Sequence, residues 1–287
     1  MIIVKLTDGL GNQIFQYAFA KKLSKTLSRE VFLDVSDINN TRHYDDYYQN
    51  KWFMLCAKRE PLITKFKLSL PVLEEGKAKK IDRQYQSDFM RYCKDFNLLR
   101  TKYFKEGDNP LGIKKISSCK NYYIEGYFCK LEYYKDIKAE LIADLTPDNR
   151  FDCDCLREMT EDAETVSVHI RRGDFLNVGR DISCSNYYQK AIEYIKSNIA
   201  NPFFLYFTDD PDWLERELSI RESSYVVSGG DYDDVEEFTI MSKCRHHIVG
   251  NSTYSYWAAY LNDYGIVTVP NGWRTLVIPS NWKRIQR

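Results

Sequence analysis

The sequence predicts an α/β protein made of two Rossmann-like domains, with the boundary near residue 150 of 287. In the C-terminal half, strand-length apolar segments alternate with helix-length amphipathic ones, the pattern of a doubly wound parallel sheet. The N-terminus carries a strand, a helix and a strand in succession, which is a βαβ unit. Pro147 lies where the irregular middle of the chain gives way to regular alternation, so we interpret the segment "LTPDNRFDCDC" as a hinge.

The N-terminal domain, residues 1–150, opens with the βαβ unit. Its strands are Ile2–Leu6 and Val31–Val35, and its helix runs from about Asn12 to Leu27. Residues 40–135 show no regular period, and their many tyrosines are interpreted as half-buried packing, with a sugar-stacking surface as the alternative. The helix is predicted because apolar residues fall on one side at helical spacing: Ile14, Phe15, Ala18, Phe19, Leu23 and Leu27.

The C-terminal domain, residues 151–287, alternates strands and helices. Its first strand covers residues 165–170, and a helix begins near Ser185. The later strands are "FFLYF", "YVVS", "HHIV" and "IVTV", and the helices among them include "VEEFTIMSKC" and "GNSTYSYWAAYL". Because the rhythm is strand, helix, strand, the sheet is predicted to be parallel.

Composition excludes several classes of partner. The 41 basic and 41 acidic side chains leave no net charge, whereas nucleic acids and anionic membrane surfaces select a basic excess. The N-terminal apolar run is too short for a signal peptide, and no stretch approaches the roughly 18 apolar residues of a spanning helix. We therefore expect a cytoplasmic protein that binds no nucleic acid. The eight cysteines, Cys153 and Cys155 included, lack metal or disulfide spacing and are expected to be reduced.

Polar segments follow four of the predicted strands. In doubly wound sheets, ligands bind beyond the carboxyl ends of the strands, so these segments are the candidate site. They are "TDGLGNQ" at 7–13, "HIRRGD" at 169–174, "TDD" at 208–210 and "GNST" at 250–253.

The second and fourth of these segments predict an anion site. Asn251, Ser252 and Thr253 open a helix whose N-terminus favours negative charge, although they are equally typical of an ordinary N-cap. Arg171 and Arg172 add forked guanidinium donors that match phosphate oxygens. The alternative for one arginine is an ion pair with Asp174 within the motif.

The first segment permits a dinucleotide-binding interpretation. Gly9 and Gly11 follow a strand, and Asp34 ends the next strand. Ile14, however, stands where the motif GxGxxG requires its third glycine. We therefore interpret these glycines as turn residues that allow close approach of a ligand.

No motif predicts a metal site. "DYDD" at 231–234 resembles the DxD metal motif of another class of sugar transferase, but its place before a helix favours a solvated loop with helix-start charge. His246 and His247 lack partners at ligand spacing and are interpreted as strand-edge residues.

Six motifs lie in order over nearly the whole chain: "DGLGNQIFQYAFA", "EGYFCKLEYYKD", "HIRRGDF", "FTDDPDWL", "MSKCRHHIVGNSTYSYWAAYLN" and "VTVPNGW". Together they resemble the family 11 glycosyltransferases, the bacterial and animal α-1,2-fucosyltransferases. The resemblance implies a GT-B fold, in which two Rossmann-like domains face a central cleft. It also implies GDP-fucose as the donor, inversion at the anomeric carbon, no cofactor and no required metal.

The resemblance assigns the donor to the C-terminal domain and the acceptor to the N-terminal one. Arg172 and Arg171 would hold the pyrophosphate, and Arg172 would stabilise the charge that builds on GDP as it departs. Glu237 would accept the N1 and N2 protons of guanine. The full donor set comprises His169, Arg171, Arg172, Glu237, Asn251, Ser252 and Thr253.

The acceptor side is less defined. Asp8 stands where the family often has glycine, and Asp8 or Asp174 would serve as the catalytic base. The loop formed by Gly9, Gly11, Asn12 and Gln13 would line the cleft. The resemblance implies a galactose-terminated oligosaccharide acceptor of a surface polysaccharide such as O-antigen, with a lipid-linked form and peripheral membrane contact as options. The alternatives are a nucleotide-dependent oxidoreductase and a non-catalytic nucleotide-sugar or glycan-binding protein.

Overall fold

The chain forms two compact units, Met1–Thr146 and Pro147–Arg287. The structure is a computed structural model. The residues that it describes are 1–36, 38, 60–74, 76, 77, 80, 101–106, 121–147, 163–177, 179–217, 223–273 and 276–287.

A parallel four-stranded sheet organises the first unit, in the order β2-β1-β4-β3. The central strands β1 and β4 are buried on both faces, which explains why their sequences show no alternation of apolar and polar residues. The four strands are β1 (Ile2–Lys5), β2 (Val31–Asp34), β3 (Thr101–Lys105) and β4 (Asn121–Glu125).

Helix α1 (Leu10–Leu27) joins β1 to β2 and completes the predicted βαβ unit. It begins two residues earlier than predicted, because Gly9 is its N-cap and Gly11 lies inside its first turn. The N-terminal half of α1 is buried on nearly every side. More of its residues are therefore in contact with the rest of the protein than the apolar residues used to predict the helix. The unit also contains α2 (Lys138–Asp144) and short 3-10 helices at Leu62–Lys65 and Leu131–Tyr133.

A parallel six-stranded sheet organises the second unit, in the order β10-β9-β8-β5-β6-β7. The predicted strands all form, and the C-terminal edge strand β10 is an addition. The strands are β5 (Glu164–Ile170), β6 (Pro202–Thr208), β7 (Ser224–Val226), β8 (His246–Ile248), β9 (Val267–Pro270) and β10 (Lys283–Ile285).

Five helices connect these strands within the described part of the second unit: α3 (Gly173–Asn177), α4 (Tyr187–Asn198), α5 (Pro211–Glu217), α6 (Asp234–Lys243) and α7 (Thr253–Leu261). The helix predicted near Ser185 is α4, and its apolar side packs against β5, β6 and β8 in one buried cluster. The prediction of an α/β fold with two Rossmann-like domains is confirmed.

Two further findings concern the whole described chain. None of its helices combines the length and the apolar character needed to cross a bilayer. Cys129, Cys184 and Cys244 are free thiols, while Cys153 and Cys155 lie outside the described residues.

Candidate functional site

The polar strand ends of the second unit meet at one edge of its sheet. β5 and β6 are parallel neighbours, and their register pairs Ile170 with Thr208. The two arginines of "HIRRGD" directly follow β5, and the two aspartates of "TDD" directly follow β6. The two pairs of opposite charge therefore lie side by side.

Arg171 is held by two carboxylates. Its Nε and Nη2 atoms lie 3.0 and 2.8 Å from Oδ1 of Asp174, and its Nη1 lies 2.9 Å from Oδ2 of Asp209. Its side chain remains one-quarter exposed. The alternative interpretation of the motif, an Arg–Asp ion pair, is thus confirmed for Arg171, although the exposed fraction leaves the guanidinium accessible.

Arg172 is more deeply enclosed. Its guanidinium stacks over the ring of Trp213 at 4.1 Å, and its Nε lies 3.1 Å from Oδ2 of Asp210. Nη1 donates to the hydroxyl of Ser183 and lies 3.6 Å from Asp181. A residue that is only 9% exposed and held on three sides has a fixed orientation.

His169 brings an unsatisfied polar atom to the same edge. The residue is buried, and its Nδ1 makes no hydrogen bond within the described part of the chain. Burial, aided by the nearby Arg171, lowers the pKa of His169 to about 3, so the ring is neutral at physiological pH. Its ring lies 5.5 Å from that of Tyr254. Such an unpaired buried atom is uncommon in proteins and calls for a partner, which a water molecule or a ligand can supply.

The turn between β8 and α7 closes over His169. A side chain at Gly250 would meet the carbonyl oxygen of His169 at 2.8 Å, so only glycine fits there. Asn251 donates from Nδ2 to the carbonyl oxygen of Arg180 at 2.6 Å. Its Oδ1 is buried and, among the described residues, has no donor. Ser252 is the N-cap of α7 and accepts from the N–H of Tyr254 at 3.3 Å, and Thr253 is the first helical residue.

Glu237 lies in α6 beside the end of β6. Its Oε2 accepts from the hydroxyl of Ser228 at 2.7 Å, and that hydroxyl accepts from the N–H of Thr208 at 2.9 Å. Burial raises the pKa of Glu237 to about 7, and the neighbouring Asp234 and Asp233 act in the same direction, against the hydrogen bond from Ser228. Both the protonated and the ionised form of this carboxyl group are therefore expected near neutral pH.

The acidic segment at 231–234 does what the sequence predicted for it. Asp233 is the N-cap of α6 and accepts from the N–H groups of Val235 and Glu236, whose own carboxylate accepts the N–H of Asp233. This capping box accounts for the charge at the helix start. Within the described residues, no group of three or more potential ligands could hold a metal ion.

The prediction for the histidine pair was wrong. His246 and His247 lie in β8, an interior strand between β5 and β9, and both are buried. His246 contacts Glu164 at 3.1 Å, and His247 contacts the hydroxyl of Ser167 at 2.8 Å. Both imidazoles join hydrogen-bond networks of the core, which is why they occur in a central strand.

The polar turn after β1 is built differently. Gln13 is fully buried, donates to the carbonyl oxygens of Asp8 and Glu60 at 2.7 and 2.9 Å, and accepts from the N–H of Ile63 at 3.1 Å. Gly11 is buried within α1. The expectation that these two residues line a cleft was therefore wrong, because both are buried and Gln13 bonds to the backbone of its own unit. Gly9 and Asn12 are partly exposed.

Asp8, not a glycine, has the unusual backbone of this turn. Its φ angle is +64°, the left-handed region that glycine adopts most easily and aspartate better than most residues. Its carboxylate lies 3.5 Å from Nδ2 of Asn12. Glycine, the residue type that the resemblance leads us to expect at this position, would thus fit the local geometry.

The dinucleotide interpretation fails on Asp34. This side chain is completely buried, where it accepts from the hydroxyl of Tyr123 at 2.7 Å and from the N–H of Ser36 at 2.9 Å. A carboxylate enclosed in this way cannot reach a ribose. The βαβ unit therefore lacks the acidic residue that binds a nicotinamide cofactor.

Sequence reasoning missed four side chains that surround Arg172. Asp181 and Ser183 precede α4 without any recognisable pattern, so no sequence signal identified them. Asp210 and Trp213 belong to the motif "FTDDPDWL", which was noted for its polarity and its resemblance but was given no role. The available signal was the sheet order, because residues that follow neighbouring parallel strands must lie side by side.

Comparison with known sequences agrees with these features. The model of glycosyl transferase family 11 matches residues 1–275. The chain is 30% identical to the O-antigen biosynthesis glycosyltransferase WbnK of Escherichia coli, over 93% of both chains. It is 26% identical to an Escherichia coli alpha-1,2-colitosyltransferase over 100% of this chain and 99% of that one. It is 23% identical to the bovine galactoside 2-alpha-L-fucosyltransferase SEC1 over 91% of this chain and 64% of that one.

Comparison with solved structures supports the predicted GT-B fold class. The fucosyltransferase NodZ from Bradyrhizobium aligns with 90% of this chain and 92% of its own, with a TM-score of 0.50 and 12% sequence identity. At that identity the likeness concerns the arrangement of strands and helices alone.

Proposed function

The chain belongs to glycosyltransferase family 11, and from that premise we propose that it transfers L-fucose from GDP-β-L-fucose to a galactoside hydroxyl, forming an α-1,2 linkage. The names of its relatives support the biological setting, the synthesis of a surface polysaccharide such as O-antigen. The observation that carries the proposal is the oriented arginine pair beside the unpaired His169, at the strand ends where a donor nucleotide would bind.

The reaction defines what these residues must do. The bond from the anomeric carbon to the β-phosphate oxygen breaks, and GDP leaves with the electron pair. The acceptor oxygen bonds to the opposite face of that carbon, and its proton passes to a base. Negative charge builds on the β-phosphate as the bond breaks, so donors already oriented towards that position accelerate the step. We assign this role to Arg172, with Arg171 on the remaining pyrophosphate oxygens.

The base of the nucleotide is assigned to the pocket around Glu237. An ionised carboxylate accepts both the N1 and N2 protons of guanine, which adenine and uracil do not offer. Ser228 already bonds one carboxylate oxygen, which favours the ionised form and fixes its direction. The ring of Tyr254 lies 5.4 Å from that of Phe238, the residue after Glu237, and 5.5 Å from that of His169.

Asp8 is the better candidate for the catalytic base. Oδ1 of Asp174 already accepts two N–H groups of Arg171, so this carboxylate is engaged in holding the arginine. Asp8 lies on a turn of the first unit and is partly exposed.

The arginines replace a metal cation in this proposal, so no metal and no other cofactor takes part.

A second donor is favoured by one finding. The relative that matches the whole chain at 26% identity is named an alpha-1,2-colitosyltransferase. A colitosyl group on the same nucleotide would leave the roles of the arginines and of Glu237 unchanged. The donor sugar is therefore the part of the proposal that most needs a direct test.

The test offers GDP-fucose and GDP-colitose to the purified chain with a panel of free and lipid-linked galactosides. Release of GDP is followed in time, and NMR of the product identifies the linkage. We expect transfer from GDP-fucose to the 2-hydroxyl of galactose. Consumption of GDP-colitose alone would overturn the donor assignment. Thermal stabilisation by NAD but not by GDP would favour the oxidoreductase, and binding of GDP-sugars without transfer would favour a non-catalytic protein.

A further inference from the structure

The two aspartates of "TDD" face the two arginines because of the sheet register. The pairing of β5 with β6 ends at Ile170 and Thr208. Continuing it by one and two residues places Asp209 beside Arg171 and Asp210 beside Arg172. The observed ion pairs follow this order, at 2.9 Å for the first pair and 3.1 Å for the second.

Asp209 uses both of its carboxylate oxygens on the arginine segment. Oδ1 accepts from the backbone N–H of Arg172 at 2.7 Å, and Oδ2 binds Nη1 of Arg171. Room for this carboxylate depends on Gly173. A methyl group at that position would lie 2.6 Å from Oδ2, which is far closer than two such atoms approach.

Asp210 also has two separate partners. Oδ1 accepts from the N–H of Trp213 at 3.1 Å in the first turn of α5, and Oδ2 binds Nε of Arg172. The same turn presents the ring of Trp213 to the face of that guanidinium. One short segment thus fixes the edge and the face of Arg172.

The charge balance indicates that the aspartates orient the two guanidiniums and do not strengthen the attraction of the site for a phosphate group. Two guanidiniums stand among four carboxylates, those of Asp174, Asp181, Asp209 and Asp210, which gives 2 − 4 = −2. This excess of negative charge weakens the pull of the site on a phosphate group. Partly buried ion pairs also contribute little net stability, because desolvation offsets much of their attraction. What the carboxylates do provide is a fixed direction for each guanidinium.

We propose that Asp209 and Asp210 are positioning residues, which orient Arg171 and Arg172 before the donor binds. The inference rests on the proposed function, in which these arginines stabilise the departing GDP. Loss of a positioning carboxylate leaves the arginine charge in place and releases its direction. The rate of transfer therefore falls, while the affinity for GDP stays the same or increases.

Gly173→Ala is the sharpest test, since it changes no charge. Alanine is the better helix former at this first position of α3, so the variant is expected to fold. Its methyl group displaces the carboxylate of Asp209. We expect kcat to fall by about tenfold to a hundredfold, as misplacement by about 1 Å does in other enzymes, with GDP affinity changed less than about threefold. Gly76→Ala is the matched control, because no atom of the described residues lies within 4 Å of a methyl group at that position, and its activity should be unchanged.

Asp209→Asn and Asp210→Ser give the second measurement. Serine retains the N-capping of α5 but is too short to reach Arg172. Both variants should show the same fall in kcat without loss of GDP affinity, whereas Asp212→Asn, at an exposed position of the same helix, should not. A folded Gly173→Ala enzyme with the wild-type kcat would overturn the positioning role of Asp209 and Asp210. Equal losses of kcat and GDP affinity in all three variants would do the same. Neither result would affect the proposed function. A wild-type chain without transfer activity would overturn the proposed function and this inference with it.

Discussion

The polar turn after β1 and the polar edge formed after β5 and β8 both lie at the carboxyl ends of parallel strands, but they differ in what their side chains bind. After β1, Gln13 and Gln16 direct their amides to the backbone of their own unit, at 2.7 to 3.1 Å. After β5 and β8, His169 and Asn251 each keep a buried atom for which the described residues provide no partner. Polarity at a strand end therefore does not by itself distinguish a turn that satisfies its own side chains from one that leaves a buried atom for another partner.

The difference has a physical basis. A buried amide costs about 1 to 3 kcal/mol when its hydrogen bonds are missing, so a turn without a ligand must satisfy its own amides. A turn that binds a ligand bears that cost until the ligand supplies the partners. The following experiments, from the largest expected effect to the smallest, test whether the two turns differ in this way.

Arg172→Lys should have the largest effect. Lysine keeps the positive charge, but its ammonium group is not a planar fork. It cannot stack on Trp213 and bind Asp210 and at the same time direct further N–H groups towards a phosphate. We expect kcat to fall about a hundredfold or more, with a smaller change in GDP affinity. Arg171→Lys should be less severe.

The measurement is steady-state kinetics with calorimetry of GDP binding on each lysine variant. Because Arg172 is packed in the core, thermal melting must first show that the variant folds. A folded Arg172→Lys enzyme that turns over near the wild-type rate would contradict the role of Arg172 at the leaving group.

Glu237→Gln should weaken GDP binding by about 1.5 to 3 kcal/mol, roughly ten- to a hundredfold, because one charge-assisted acceptor is lost. Glu236→Gln is the matched control, since glutamine preserves the capping box and should leave GDP affinity unchanged. Calorimetry on both variants decides the matter, and equal affinities would remove Glu237 from the guanine site.

The same side chain predicts a pH dependence. The pKa of Glu237 is raised to about 7, and guanine binds the ionised form. GDP affinity should therefore increase as the pH rises towards and through about 7, by up to about tenfold per pH unit below the pKa. The free chain should show the opposite trend in stability, because ionising this buried carboxyl disfavours the fold as the pH rises. Glu237→Gln should remove the share of both trends that this carboxyl contributes, and a wild-type chain and a Glu237→Gln chain with the same pH dependence of GDP affinity would contradict the assignment.

Gln13→Ala tests the other turn. It removes two hydrogen-bond donors and leaves the N–H of Ile63 without its acceptor, so the free energy of unfolding should fall by about 1 to 3 kcal/mol. GDP affinity should not change. Asn12→Ala, which loses only a 3.5 Å contact, should be nearly neutral in chemical denaturation. Loss of GDP binding in a stably folded Gln13→Ala chain would show that the two turns do not differ as described.

Removal of divalent metal ions should have the smallest effect. The arginine pair supplies the positive charge in the proposed mechanism, so transfer should persist in excess EDTA. Loss of transfer in EDTA, with recovery on adding manganese, would assign a metal role to the acidic segment at 231–234.

Much of the fold could be predicted from local patterns. The strand at 165–170 and the helix after Ser185 were predicted nearly to the residue. β4 was missed, because its Tyr122, Tyr123 and Ile124 are all buried in the middle of the sheet and show no alternation. β10 was missed because it is a three-residue edge strand. Such segments acquire their structure from neighbours that are distant in sequence.

The candidate site was predictable in its residue types and not in its contacts. Arg171 and Arg172 were identified from their place after a strand and His169 from the resemblance, and the structure brings them to one edge. The assignment of Gln13 and Gly11 to a cleft was wrong, because spacing does not reveal whether a polar side chain turns towards solvent or back to its own backbone. The donor-binding roles themselves remain predictions.

The sequence by itself determined the alternation of strands and helices, the family, and the concentration of charge after β5 and β6, since these depend on periodicity and on residue type. Only the tertiary structure decided that the two arginines of one strand end are matched to the two aspartates of the next. It also decided that Asp8 has a left-handed backbone and that Asp34 is enclosed. The physical reason is that hydrogen bonding and burial depend on which strands become neighbours, and β5 and β6 are joined by some thirty residues of chain that carry no mark of their pairing.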